Sequence, residues 1–191
     1  MKIRKIRTSG AWLLGLMFAS MLCVSGFAQI PETGKKAPDF TLATPEGAQF
    51  SLSALTAHST VVLVVLRGYP GYQCPYCERQ VHDFIQNAAK FAALKTEVLL
   101  VYPGPPADLD QRAKEFLAPQ EKLPANVHLV IDPDYKMTNL YGLRWDAPKE
   151  TAYPSTFLVD RKGNIFFEKI SHAHGDRTTA ADLLGELGKQ R

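Results

Sequence analysis

Cys74 and Cys77 stand three residues apart in RGYPGYQCPYCERQ, Arg67 to Gln80, between the apolar run VVLVVL and a helical pattern that begins at Pro75. Cysteine attacks as a thiolate, joins a partner in a disulfide or ligates a metal, and its surroundings decide which. Pro75 suits a first helical position, where its missing N–H would be unsatisfied in any case, so Cys74 is expected at the N-cap and Cys77 in the first turn. Free backbone N–H groups and the positive end of the helix dipole favour an anion there. A thiol of ordinary pKa near 8.5 is expected to fall to roughly 5 to 7 in such a place, with Arg67 as a nearby cation. The spacing brings the second sulfur round one helical turn, within reach of a disulfide. One cysteine can then attack and the other resolve.

Two other uses of the pair are weaker. A structural disulfide across so short a loop would restrain the unfolded chain little. A zinc site needs four ligands, and beyond residue 28 there is no second cysteine pair, so His82, His172 and His174 would have to converge from distant elements. No metal and no cofactor are expected. Thiol redox chemistry is the favoured reading, and a metal-binding or purely structural module remains the alternative of another class.

The elements that must position the cysteines follow from periodicity. KAPDFTL and GAQFSLSAL read as two short strands about a turn containing Pro45, Glu46 and Gly47, an opening hairpin. VVLVVL, Val61 to Leu66, is a β-branched run and reads as a strand buried on both faces. Val81, Phe84, Ile85, Ala88 and Phe91 then recur at helical spacing, with Cys77 on the same stripe. TEVLLVY and NVHLVID are further buried strands; Leu109, Ala113, Phe116 and Leu117 mark a helix between them, and Met137, Leu140 and Tyr141 a short one stopped at Gly142. STFLVD and NIFFEKI flank a hairpin turn at Arg161-Lys162-Gly163. Thr179 to Asp182 has the form of a capping box that opens a last helix with Leu183, Leu184 and Leu187 inward. Strands interleaved with helices argue for an α/β sheet with helices on both faces, whose functional groups gather beyond the carboxyl ends of its parallel strands. The loop after VVLVVL lies at such an end.

The N-terminus differs in character. MKIRKIR is basic, and no charge follows from Thr8 to Ala28, which has the pattern of an export signal cleaved after Gly26-Phe27-Ala28 or, uncleaved, of a membrane anchor over residues 10–28. Either way residues 29–191 are expected to be an exported domain, periplasmic or secreted, with the membrane as partner only if the segment stays. Cys23 leaves with the signal. The 22 basic residues fall to 18 once Lys2, Arg4, Lys5 and Arg7 are gone, against 19 acidic ones, for a net charge of −1. That balance gives no electrostatic reason to expect nucleic acid as a partner. With 46% hydrophobic and 21% charged residues over 191 positions, the chain is an ordinary globular protein of one domain.

From about Gly34 onward the chain resembles the alkyl hydroperoxide reductase / thiol-specific antioxidant family of thioredoxin-like proteins, which contains the peroxiredoxins. The resemblance is carried by GKKAPDFTL, by the strand leading into Tyr69-Pro70, by the cysteine loop and by PSTFLVDRKGNI, in that order. It implies a thioredoxin-like fold, a central mixed sheet flanked by helices with the N-terminal hairpin as an extension. It also implies a peroxide or a protein disulfide as substrate and an external thiol reductant of thioredoxin type.

Aligned on the peroxiredoxin register of Pro70, Cys77 takes the peroxide-attacking slot and Cys74 replaces a hydroxyl residue. Aligned on thioredoxins, Cys74 is the exposed nucleophile and Cys77 the inner, resolving thiol. Tyr69-Pro70 belongs to the peroxiredoxin register and favours Cys77 for peroxide, and Tyr69, Tyr72 and Tyr76 are expected to wall the site. Where peroxiredoxins carry an arginine before the Thr-Phe strand start, this chain has Tyr153-Pro154-Ser155, which resembles a thioredoxin cis-proline segment with backbone free to pair with a substrate disulfide. The arginine's role then falls to Arg67, Arg144 or Arg177, and Arg67 is the nearest in sequence.

Overall fold

The computed structural model describes residues 30–120 and 122–190, so the segment read as a signal or anchor, with Cys23, lies outside the described residues. Three strands form the parallel centre: β3 (Thr60–Val65), β4 (Thr96–Gly104) and β5 (Val127–Pro133). On one side β6 (Ser155–Val159) pairs antiparallel with β3 and β7 (Ile165–Ile170) with β6; on the other the hairpin of β1 (Thr41–Ala43) and β2 (Gln49–Ser51) joins β5 antiparallel. The order is β2-β1-β5-β4-β3-β6-β7, a mixed seven-stranded sheet of thioredoxin-like type.

The period-2 alternation of β3 builds two cores. Val62, Val64 and Leu66 face α2 (Pro75–Gln86), α4 (Leu109–Leu117) and α6 (Ala180–Gly188), meeting Val81, Phe84, Phe116 and Leu183. Val61, Leu63 and Val65 face the other way onto Leu52, Met137, Tyr141 and Phe157, covered by α1 (Leu52–Thr56) and α5 (Lys136–Leu140). Each such side chain taken fully from water contributes about 1.5–3 kcal/mol, so β3 is anchored on both faces up to the residue where the cysteine loop begins.

Two local expectations change. The stretch read as a strand through GAQFSLSAL leaves the sheet at Ser51, whose hydroxyl accepts from the Ala54 N–H at 3.2 Å and caps α1. The helical stripe from Val81 to Phe91 is two helices, because Asn87 (φ −104°, ψ 7°) ends α2 and opens α3 (Ala88–Ala93). Its side-chain amide donates back to the Asp83 carbonyl at 2.9 Å.

The cysteine loop is pinned to the end of β4. Leu66 N–H donates to Val101 O at 2.9 Å and Tyr69 N–H to Pro103 O at 3.0 Å. Between them Gly68 has φ +71°, and a Cβ built there would lie 1.8 Å from Pro103 O. Only glycine allows both the left-handed turn and that approach of backbone to backbone.

Candidate active site

Cys74 occupies the N-cap of α2 with extended φ/ψ (−89°, 112°), Pro75 follows at the first helical position, and the Cys74 carbonyl accepts from Glu78 N–H at 3.1 Å. Both thiols are free; Cys74 is 2% exposed and Cys77 is wholly buried. They titrate in opposite directions. The hydrogen bond from the Cys77 thiol, backbone N–H groups of Cys77 and Tyr76 and the charge of Arg177 together overcome burial and lower Cys74 to about 5. Burial, with the Cys74 sulfur beside it, pushes Cys77 well above an ordinary thiol. At neutral pH the pair is one thiolate at the cap and one thiol beneath it, donating to it.

The cation on Cys74 is Arg177. Its Nη2 lies 3.8 Å from Cys74 Sγ, Nη1 donates to Gln80 Oε1 at 3.1 Å, and Nε donates to the His174 carbonyl at 2.8 Å. Gln80, buried on α2, donates in turn to Thr178 O at 3.1 Å, and the Thr178 hydroxyl meets that of Thr156 at 2.8 Å. Arg67, the nearest arginine in sequence, is 1% exposed and spends its donors elsewhere: on Glu150 Oε2 at 2.7 Å, the Tyr72 hydroxyl at 2.7 Å and Lys149 O at 2.6 Å. Arg144 lies over the Tyr135 ring at 4.1 Å and donates to the carbonyl of Trp145. Of the three arginines weighed for the role, it is the one farthest from the cysteines in sequence that touches sulfur.

Tyr72 and Tyr76 are the aromatics that reach solvent beside the cysteines, 45% and 41% exposed, while Tyr69 packs against the core with Arg112 above its ring. Pro70 is half-buried in the loop. Pro154 is buried, and the expectation of a cis bond before it is corrected: no cis peptide bond occurs among the described residues. Nor is the backbone there free. Tyr153 N–H donates to Leu143 O, the Tyr153 carbonyl accepts from the Ser155 hydroxyl at 2.8 Å, and Pro154 O accepts from Ser171 N–H at 2.9 Å.

Several site residues were not singled out by sequence reasoning. The buried Tyr102 hydroxyl, kept protonated by burial, donates to Gln73 Oε1 at 2.7 Å, and the Gln73 amide donates to Arg112 O at 2.9 Å, which fixes the residue before Cys74. Tyr102 ends an apolar strand at the carboxyl edge of the sheet, and that position was the available signal. Glu150 bridges Arg67 and His174, whose Nε2 is 3.0 Å from Glu150 Oε1. His172 is exposed against the Tyr153 ring, His82 is exposed on α2, and among the described residues no three His, Cys, Asp or Glu side chains group as a metal would require.

A model of the AhpC/TSA family matches residues 33–167. The chain belongs to that family. A relative described as a candidate peroxiredoxin bcp of Helicobacter pylori is 33% identical over 154 residues, covering 76% of this chain and 94% of its own. Among solved structures, Peroxidoxin BcpB from Mycobacterium tuberculosis superposes with TM-score 0.66 at 21% identity over 84% of this chain and 99% of that one, a likeness of fold. A candidate thiol:disulfide interchange protein DsbE from Chlorobium tepidum gives 0.59 at 27% identity, over 84% and 95%. The AhpC/TSA chain described here is thus a thiol-based oxidoreductase of peroxiredoxin-like kind.

Proposed function

We infer that the chain reduces peroxides at Cys74 and resolves the product with Cys77, as an exported enzyme. The observation that carries this reading is the state of Cys74: a thiol lowered to about 5, facing a guanidinium and only 2% exposed. A sulfur so enclosed favours a substrate of the size of hydrogen peroxide over a protein disulfide, which would need the loop to open. The Cys74 thiolate attacks one peroxide oxygen, the O–O bond breaks, and the second oxygen leaves as water or an alcohol once protonated; the sulfur becomes a sulfenic acid. Arg177 is the donor available to the departing oxygen's charge. Loss of the Cys74 anion removes one cause of Cys77's high pKa. The Cys77 sulfur then attacks Cys74, water leaves, and a Cys74–Cys77 disulfide forms. An external dithiol of thioredoxin type returns the two electrons.

The Pro70 register gave the attacking slot to Cys77; its complete burial and raised pKa favour the opposite order. Single-turnover oxidation by hydrogen peroxide with a sulfenic-acid trap tests this. Cys77→Ser is expected to be trapped on Cys74 and Cys74→Ser to stay unreactive; trapping on Cys77 reverses the assignment. Export is supported by the basic start and uncharged run of residues 1–28, and the N-terminal mass of the protein recovered from cells checks it.

A second reading, thiol–disulfide exchange on exported proteins, is favoured by the 27% identity to the DsbE-type chain and by the exposed Tyr72 and Tyr76 beside the cysteines. Turnover of an insulin disulfide faster than of hydrogen peroxide would select it.

A further inference from the structure

Arg177 reaches Cys74 from residues 171–178, a segment without helix or strand, so its position depends on what fastens that segment. One fastening is Gln80 on α2. Another runs through His174, whose carbonyl accepts from Arg177 Nε and whose ring meets Glu150 Oε1. The other oxygen of that carboxylate, Oε2, accepts from Arg67, which also holds the Tyr72 hydroxyl of the cysteine loop. Glu150 is thereby tied at once to the two segments that meet at Cys74, the loop after β3 and the segment after β7. Arg67 is 1% and the Glu150 side chain 12% exposed. Burial pushes the Glu150 carboxyl up, but the bonds from Arg67 and His174 outweigh it and keep the group ionised. A cation on an unfastened segment would sample many distances and more solvent, and its attraction for a thiolate falls with both.

The geometry points to Glu150 and His174 as positioning residues that hold the Arg177 guanidinium at Cys74 Sγ. The inference rests on Cys74 being the reactive thiol, but not on the identity of its substrate. Its sign sets it apart from simple electrostatics: a carboxylate acting only as a nearby negative charge makes the thiolate harder to form, so its removal would ease ionisation, whereas loss of a positioning carboxylate hinders it.

The test is iodoacetamide alkylation of Cys74 in the full-length reduced protein, followed against pH by peptide mass. This readout does not use peroxide, so failure of the peroxidase reading leaves it intact. Glu150→Gln and His174→Ala are each expected to slow Cys74 alkylation at pH 5 by about two- to fivefold, as the midpoint rises. Neither is expected to slow it further in an Arg177→Ala background. His174→Gln, which keeps a donor toward Glu150, is expected to restore the rate to within about twofold. His174→Ala leaves the Arg67–Glu150 pair in place, so it decides the matter if Glu150→Gln fails to unfold cooperatively. An unchanged or lowered midpoint, or an equal effect without Arg177, overturns the assignment.

Discussion

Two helices, α2 and α6, lie on the same face of the sheet, and their starts are built in opposite ways. At α6 the Thr179 hydroxyl accepts from Asp182 N–H at 3.2 Å, the Asp182 carboxylate accepts from Thr179 N–H at 2.9 Å, and Asp83 takes Ala180 N–H at 2.6 Å. The donors of Thr179, Ala180 and Asp182 are each met by oxygen, and the arrangement contributes stability. At α2 the capping residue is Cys74, which makes no side-chain cap hydrogen bond of the kind Thr179 makes, and Pro75 brings no N–H at all. The donors of Tyr76 and Cys77 are left to a sulfur, which they help to ionise. The same backbone feature holds a fold together at one end and favours a thiolate at the other, and the choice of capping atom decides which.

The comparison can be broken most severely at Cys74. Cys74→Ser is expected to cut peroxide consumption by a factor on the order of 10³ or more, as removal of a nucleophile does, while serine, a good N-cap, keeps α2 folded. Stopped-flow peroxide loss with circular dichroism checks both halves, and a residual rate above a tenth of the parent would end the idea. Next in size is Arg177→Ala. With Cys74 at about 5, alkylation of the parent should be half-maximal near pH 5 and flat at neutral pH; without the guanidinium the midpoint moves up, and peroxide reduction at neutral pH should drop about tenfold, the low end for loss of a charge-stabilising donor.

A third outcome concerns stability against pH. Cys74 falls from the ordinary thiol range to about 5 on folding, so between the two the unfolded chain holds a proton that the folded one has released. Stability of the reduced protein is therefore fully present above pH 9 and is lost as pH falls toward 5. Urea unfolding at pH 5, 7 and 9 should show this rise in the parent and its absence in Cys74→Ser. The raised Cys77 opposes it only above the ordinary thiol range. The smallest effect belongs to the other helix: Thr179→Ala should cost about 1 kcal/mol in the same titration and leave peroxide reduction as it was.

The sequence made the cap at Cys74 legible because Pro75 marks a helix start by its chemistry alone, and the alternation of VVLVVL announced a strand buried on both faces. The short helix at Leu52 went unread because LSAL continues an apolar rhythm that a strand shares, and only the Ser51 hydroxyl separates the two. The break at Asn87 was hidden for a related reason: the apolar stripe runs through it unbroken while the backbone does not. What one-dimensional reading could not reach is the arginine. Arg177 lies 103 positions from Cys74, and nearness in sequence favoured Arg67, whose donors the fold directs to Glu150, Tyr72 and Lys149. Cap chemistry is local and so is written locally; a long-range ion pair depends on where β6 and β7 return the chain.

Gly68 has an evolutionary consequence. Its α-carbon faces the Pro103 carbonyl with no room for a methyl group. Descendants of this chain are freer to try a new wall at Tyr76, which is 41% exposed, and so to explore other substrates without disturbing the sheet. At position 68 no such drift is open. Any heavier side chain would push the cysteine loop off β4 and carry Cys74 away from Arg177, so a lineage that gives up this glycine gives up the reaction before it gives up the fold.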